Sequence, residues 1–212
     1  MFEGVQMLDL FRESPIMSVL LICSIIAFTF AIERWWFFRR NRINVPKFME
    51  RVKEFLRRNE LDRLFGYCER KRGPVPRMIH TALTNLSLPK EEMERLLDTT
   101  KEKEEVKFEK NLSILGTLSN IAPLLGLFGT VLGIIRAFRD IAVTGSGGSA
   151  VVAMGVAEAL LTTAAGIIIA VVSTIFYNYF MRRIRVMDVE TEDMRVNLWP
   201  MLREAGNHNV QR

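Results

Sequence analysis

The chain has 212 residues, 49% hydrophobic and 25% charged, with a net charge of +5 and a mean hydropathy of +0.14. So high a hydropathy beside so many charges requires apolar and charged residues to be segregated along the chain. Two cysteines, Cys23 and Cys68, and two histidines, His80 and His208, are too few and too scattered for a disulfide framework or a metal site, so neither a metalloenzyme nor any cofactor is expected.

Residues 1–15 contain Phe2, Val5, Leu8 and Phe11 at helix-like spacing and predict a short helix lying along a membrane interface. Glu3, Asp9 and Glu13 make this region acidic, unlike the basic start of a secretory signal. Residues 16–38 form the first apolar stretch of the length, about 20 residues, that crosses the hydrocarbon of a bilayer. It ends in Trp35 and Trp36 beside Arg39 and Arg40, an aromatic and cationic membrane edge, and Glu33 at this end is expected to pair with a nearby arginine.

Residues 39–111 read as a polar helical region broken at Gly73-Pro74-Val75-Pro76, which implies a helical hairpin. After the break, Ser87 is expected to cap a helix that has Pro89 in its first turn and Glu91 and Glu92 at its positive end. With no proline or glycine between Pro89 and Gly116, one helix is predicted to run from this charged phase into the second apolar stretch, residues 112–138, a length of about 50 residues or roughly 75 Å. A glycine- and serine-rich connection follows at 139–153, short enough that spans two and three are antiparallel neighbours. Span three covers 154–181, and the tail is 182–212.

The fold class is therefore an all-α membrane protein, with three transmembrane helices and long helical cytoplasmic extensions. Orientation follows from the basic residues: 19 of the 29 Lys and Arg lie between Arg39 and Lys110 and six follow Phe180. Basic loops stay on the cytoplasmic side, which puts the N-terminus and the 139–153 loop outside and the C-terminus inside. Retention of such loops accounts for the net charge without a nucleic-acid partner.

Polar groups inside a bilayer face protein or water. Ser113, Thr117, Asn120 and Thr130 are read as one wet face of span two, with Pro123 as a kink. Glu158, Thr162 and Ser173 share a face of span three to within about 60°, and Thr163 lies to one side. Glu158 matters most, because a carboxylate in hydrocarbon costs several kcal/mol unless it is neutral, paired or hydrated. Two readings stand: an ion path in which Thr130, Thr162 and Thr163 supply hydroxyls, or a carboxyl that holds helices together near the outer interface. Gly126, Gly129 and Gly133 permit close helix approach and speak only to packing.

The runs Asn120-Ile-Ala-Pro-Leu-Leu-Gly-Leu-Phe-Gly-Thr130-Val-Leu-Gly133 and Gly155-Val-Ala-Glu158-Ala-Leu-Leu-Thr-Thr163-Ala-Ala-Gly166, followed by Tyr177-Asn178, resemble the ExbB/TolQ/MotA proton-channel family, which powers TonB, Tol-Pal and flagellar machinery. Three spans resemble its ExbB/TolQ branch. That resemblance implies a bacterial inner-membrane protein and a pentameric ring around a single-span ExbD/TolR-like partner that brings an aspartate. It further implies work delivered through a TonB- or TolA-like protein. By the same resemblance Thr130, Glu158 and Thr163 line the pore, while Pro123 and Gly129 shape the helix; Asn120 and Thr162 join them from the helical-face reading alone. The alternatives are a passive transmembrane scaffold, a sodium-driven stator and, with no nucleophile, metal cluster or phosphate loop to support it, a membrane-embedded enzyme.

Overall fold

The computed structural model describes residues 15–144 and 149–210, and within them every regular element is helical. In chain order these are α1 Pro15–Arg40, α2 Val45–Arg57, α3 Leu61–Glu69, α4 Pro74–Thr84, α5 Lys90–Glu109, α6 Leu112–Thr144 and α7 Ser149–Val210. Three of them, α1, α6 and α7, contain stretches long and apolar enough to cross a membrane, so the chain is an all-α membrane protein with three spans. The short helix expected over residues 1–15 and the glycine turn at 145–148 lie outside the described residues. Helical order extends into the remainder of the 139–153 connection, since α6 runs to Thr144 and α7 starts at Ser149.

The chain forms two compact units, one of residues up to Arg34 with Asn111–Tyr179, the other of Trp35–Lys110 with the chain from Phe180 onward. In the first unit α6 and α7 pack antiparallel along a seam of small residues. An added Cβ would meet Ala122 O at Gly166, Thr163 Cα at Gly126 and Ala159 Cβ at Gly133, all within 2.9 Å. Gly155 approaches Ala137 in the same way. With no hydrophobic drive between helices in lipid, such close backbone approach is what gives dispersion and weak polar contacts their strength. Glu33 pairs with Arg34, whose Nε donates to Glu33 Oε2 at 2.7 Å, as its place beside the basic Trp35–Arg40 end of α1 suggested.

The second unit folds around Phe48, Val52 and Leu56 of α2, Leu64 and Cys68 of α3, Val75, Met78 and Ile79 of α4, and Met93 and Leu97 of α5. Met194 and Leu202 of α7 complete this core. Each such buried side chain contributes about 1.5–3 kcal/mol. Polar contacts join the same helices: Lys101 of α5 lies 2.5 Å from Asp188 of α7, and Arg195 reaches Asp98 at 3.3 Å. The Lys101 ammonium holds the Asp188 carboxyl below the usual carboxylate range, and Asp188 in turn raises Lys101.

The hairpin expected for residues 39–111 is four helices rather than two, and asparagines supply part of the difference. Asn59, at φ 55°, closes α2 in a Schellman arrangement: Glu60 N–H donates to Phe55 O at 3.0 Å and Asn59 N–H to Leu56 O at 3.1 Å. Gly73, at φ 126°, occupies backbone space that only glycine enters freely, and Pro74 then starts α4. Ser87 does not cap the next helix: α5 begins at Lys90, with Pro89 in the capping position and no side-chain cap. The single long helix drawn through Asn111 is also corrected. Lys110 turns extended at ψ 133° and Asn111 takes φ 63°, so α5 and α6 are separate helices. Asparagine tolerates the left-handed conformation better than most side chains, which makes it an inconspicuous break.

Cys68 is buried in this core, and burial pushes its thiol up to about 12. At mildly alkaline pH it is a neutral thiol and a poor nucleophile. The expected result is no alkylation of Cys68 by maleimide in the folded protein and full reaction after denaturation, read by mass spectrometry of the peptide that holds it.

Candidate functional site

The residues of α6 at 129, 132, 133 and 136 recur with i, i+3, i+4, i+7 spacing, which places them on one helix face. In the structure that face, with Glu158, Ala159 and Thr162 of α7 and Pro15 and Ile16 of α1, walls a cavity of about 10 Å3. This is space for a single water. Glu158 of α7 thus shares a small cavity with a cation, Arg136, contributed by the facing helix α6. Arg136 lies within the 112–138 stretch but beyond its charge-free part, which ends at Ile135, and so is not among the residues read there as a polar face. Its spacing of seven from Gly129, on the face turned to Glu158, is the signal that identifies it.

Four residues from Glu158, Thr162 is only 1% exposed. Its Oγ1 donates to Ala159 O at 2.7 Å and lies 3.3 Å from Gly126 O. With one proton to give, that hydroxyl uses the shorter bond. Thr163 Oγ1 donates across the seam to Gly126 O at 3.0 Å. In a regular α-helix Gly126 O is also the acceptor for the N–H of residue 130, so the Thr163 bond lands on the peptide that holds Thr130 in place. Gly126 and Gly129 have no side chain here because Thr162 and Thr163 fill the space a Cβ would take.

The two polar stripes are not joined within the chain. Ser113, Thr117 and Asn120 are exposed on α6 and bond only to their own helix, Thr117 Oγ1 to Ser113 O at 2.8 Å and Asn120 Nδ2 to Gly116 O at 2.9 Å. Thr130 does likewise, to Leu127 O at 2.6 Å, and at seventeen residues beyond Ser113 it is turned about 100° from that stripe. The single wet face read for span two is corrected accordingly. On α7, Thr162 and Ser173 are buried, and Ser173 Oγ lacks any partner among the described residues. Pro123 lies inside α6, which continues through it to Thr144. Periodicity gave the angles on each helix correctly for Glu158, Thr162 and Ser173, but could not say which of them the glycine face of α6 would cover.

A helical membrane unit with a carboxyl and an arginine on one small cavity between spans is a candidate site for ion translocation. Family comparison agrees: residues 70–193 match the MotA/TolQ/ExbB proton channel family. The chain is 34% identical over 184 residues to a biopolymer transport protein, ExbB-like 1, of Synechocystis, an alignment that covers 81% of this chain and 69% of that protein. It is 38% identical over 133 residues to the biopolymer transport protein ExbB of Pseudomonas putida and 44% identical over 81 residues to the Tol-Pal system protein TolQ of Pseudomonas aeruginosa. These alignments cover 55% and 38% of this chain, and 38% and 35% of the respective relatives. The chain belongs to the MotA/TolQ/ExbB proton channel family.

Proposed function

We propose that this protein is the ring-forming channel subunit of a complex driven by the proton-motive force, coupling ion flow to work at the outer membrane or cell envelope through a TonB- or Tol-Pal-type system. The observation that carries the reading is Glu158 on a water-sized cavity at the α6–α7 seam, opposite Arg136 and beside Thr162. Each elementary charge that crosses 100 mV supplies about 2.3 kcal/mol. Glu158 handles the ion, Thr130 and Thr163 contribute hydroxyls within about two helical turns of it, Thr162 orients the seam, and Asn120 lines the path from the exposed face of α6. Pro123, Gly126, Gly129 and Gly133 hold the helices at the spacing this needs.

One carboxyl per chain makes a short relay, so a companion completes it: a single-span ExbD/TolR-like protein, its membrane aspartate in the lumen of a homo-oligomer, taken as a pentamer. Large side chains such as Leu124, Phe128, Leu160 and Ile168 stand exposed on α6 and α7, an apolar surface suited to lipid and to neighbouring copies. The protein sits in the bacterial inner membrane with its N-terminus periplasmic and C-terminus cytoplasmic, and its work is transport rather than covalent catalysis.

The test is reconstitution of the chain with such a partner in liposomes that enclose a pH-sensitive dye, energised by a potassium diffusion potential. Proton uptake is expected only when both proteins are present, unchanged when sodium is omitted. Uptake no greater than in empty liposomes supports a passive scaffold, and uptake of sodium in place of protons a sodium-driven stator.

A further inference from the structure

In the second unit, two stretches separated in sequence converge on one open basic cavity of about 1190 Å3. Arg40, Arg42 and Lys47 approach it from the end of α1 and the start of α2, and the consecutive Arg70, Lys71 and Arg72 from the segment after α3. Ten cations and only two carboxylates, Glu50 and Glu54, line it. Glu54 is already committed, to Arg51 at 3.0 Å and Arg58 at 2.7 Å. Lys71 lies over the ring of Tyr67, 5.8 Å from its centroid. Arg40, Arg42, Lys47, Arg70 and Arg72 make no ion pair to a carboxylate among the described residues. Retention of basic loops explains the sign of these residues but not their gathering in one concavity, where like charges repel. An anion removes that repulsion.

Position says which anion. Trp35 and Trp36 are exposed, and tryptophan at the end of a span marks the headgroup level. Arg40 is four residues past Trp36 on the same helix, about 6 Å along its axis. The rim of the cavity is therefore at headgroup depth and within a Debye length of the membrane surface, about 8–10 Å. We propose that this cavity binds the headgroup phosphate of an anionic phospholipid in the leaflet that receives the Trp35–Trp36 end of α1. The floor, where Phe48 stacks on Tyr67 with centroids 5.2 Å apart, offers an apolar surface beside the charges. The site is independent of Glu158 and of ion movement.

The experiment titrates the full-length chain in neutral detergent with short-chain phosphatidylglycerol, and with short-chain phosphatidylcholine and ATP in parallel arms, by calorimetry. Each surface cation strengthens association with anionic lipid about fivefold, so removing three weakens it on the order of 100-fold. The first variant carries Arg40→Gln, Arg42→Gln and Lys47→Gln; the second, Arg70→Gln, Lys71→Gln and Arg72→Gln, attacks the opposite wall and keeps the test open should the first fail to fold. A charge-matched control carries Lys90→Gln, Arg95→Gln and Lys103→Gln, exposed positions outside the cavity. Weaker phosphatidylglycerol binding in either cavity variant, with the control unchanged, sustains the site. Equal binding by wild type and both cavity variants overturns it, as does equal loss in the control. ATP binding without preference for phosphatidylglycerol over phosphatidylcholine overturns it in favour of a soluble phosphate ligand.

Discussion

Glu158→Gln is expected to reduce proton-driven work on the order of 100-fold or more, the usual scale for removing a group that transfers protons, while the complex still assembles. Glutamine keeps the size and most of the hydrogen-bonding capacity of glutamate but cannot take up and release a proton. The cavity shared with Arg136, Gly133 and Thr162 therefore keeps its shape, and only the titratable group is lost. Proton uptake in liposomes and co-purification with the partner measure the two halves of the prediction separately. A structural role for the carboxyl predicts the reverse, uptake preserved with weaker assembly. Thr163→Ser and Thr163→Val sharpen the contrast, because serine retains the donor to Gly126 O and valine does not. Such membrane hydrogen bonds average about 0.6 kcal/mol, so a far larger loss of flux in the valine variant than in the serine variant would reflect a role beyond packing.

Gly166→Ala is expected to destabilise the membrane unit by about 1–3 kcal/mol, the cost of overpacking a close contact. A Cβ there would stand 2.5 Å from Ala122 O and 3.1 Å from Gly126 Cα, backbone atoms that move only if α6 moves. Gly126→Ala has the same sign, its Cβ falling 2.9 Å from Thr162 O and Thr163 Cα. Because the two residues meet across one contact, the double variant should lose less than the sum of the singles. Gly66→Ala is the control with opposite sign: nothing lies within 4 Å of that position inside α3, so alanine gains about 0.5–1 kcal/mol from helix propensity. Thermal unfolding in detergent reads all four variants. Separation of α6 from α7 also moves Gly129 and Gly133 away from Glu158, so ion movement should fall with stability in Gly166→Ala but not in Gly66→Ala.

Much of the fold is local, and that part was legible. Apolar runs long enough to span a bilayer, the Trp-Trp and Arg-Arg edge of α1, the Gly73-Pro74 break and the glycine spacing on α6 are each properties of a few consecutive residues. The isolation of Glu158 in an apolar segment and the motifs around it were equally local, and the family followed from them.

Tertiary structure decided what depends on a second helix. Periodicity measures angles about one axis, so it grouped Glu158 with Thr162 and Ser173 yet could not show that the glycine face of α6 covers Thr162, or that Thr163 bonds to Gly126 O. Arg136 follows Ile135, where the charge-free part of span two ends, and packing against α7 put it on the wall of the Glu158 cavity. The break at Asn111 needed a backbone conformation that asparagine permits but does not announce. Residues 40–58 and 70–72 became one basic cavity only through the folding of the second unit. Side chains on one helix are placed by the covalent chain, whereas those on two helices meet according to how both bury their remaining surface, and that is settled by the whole molecule.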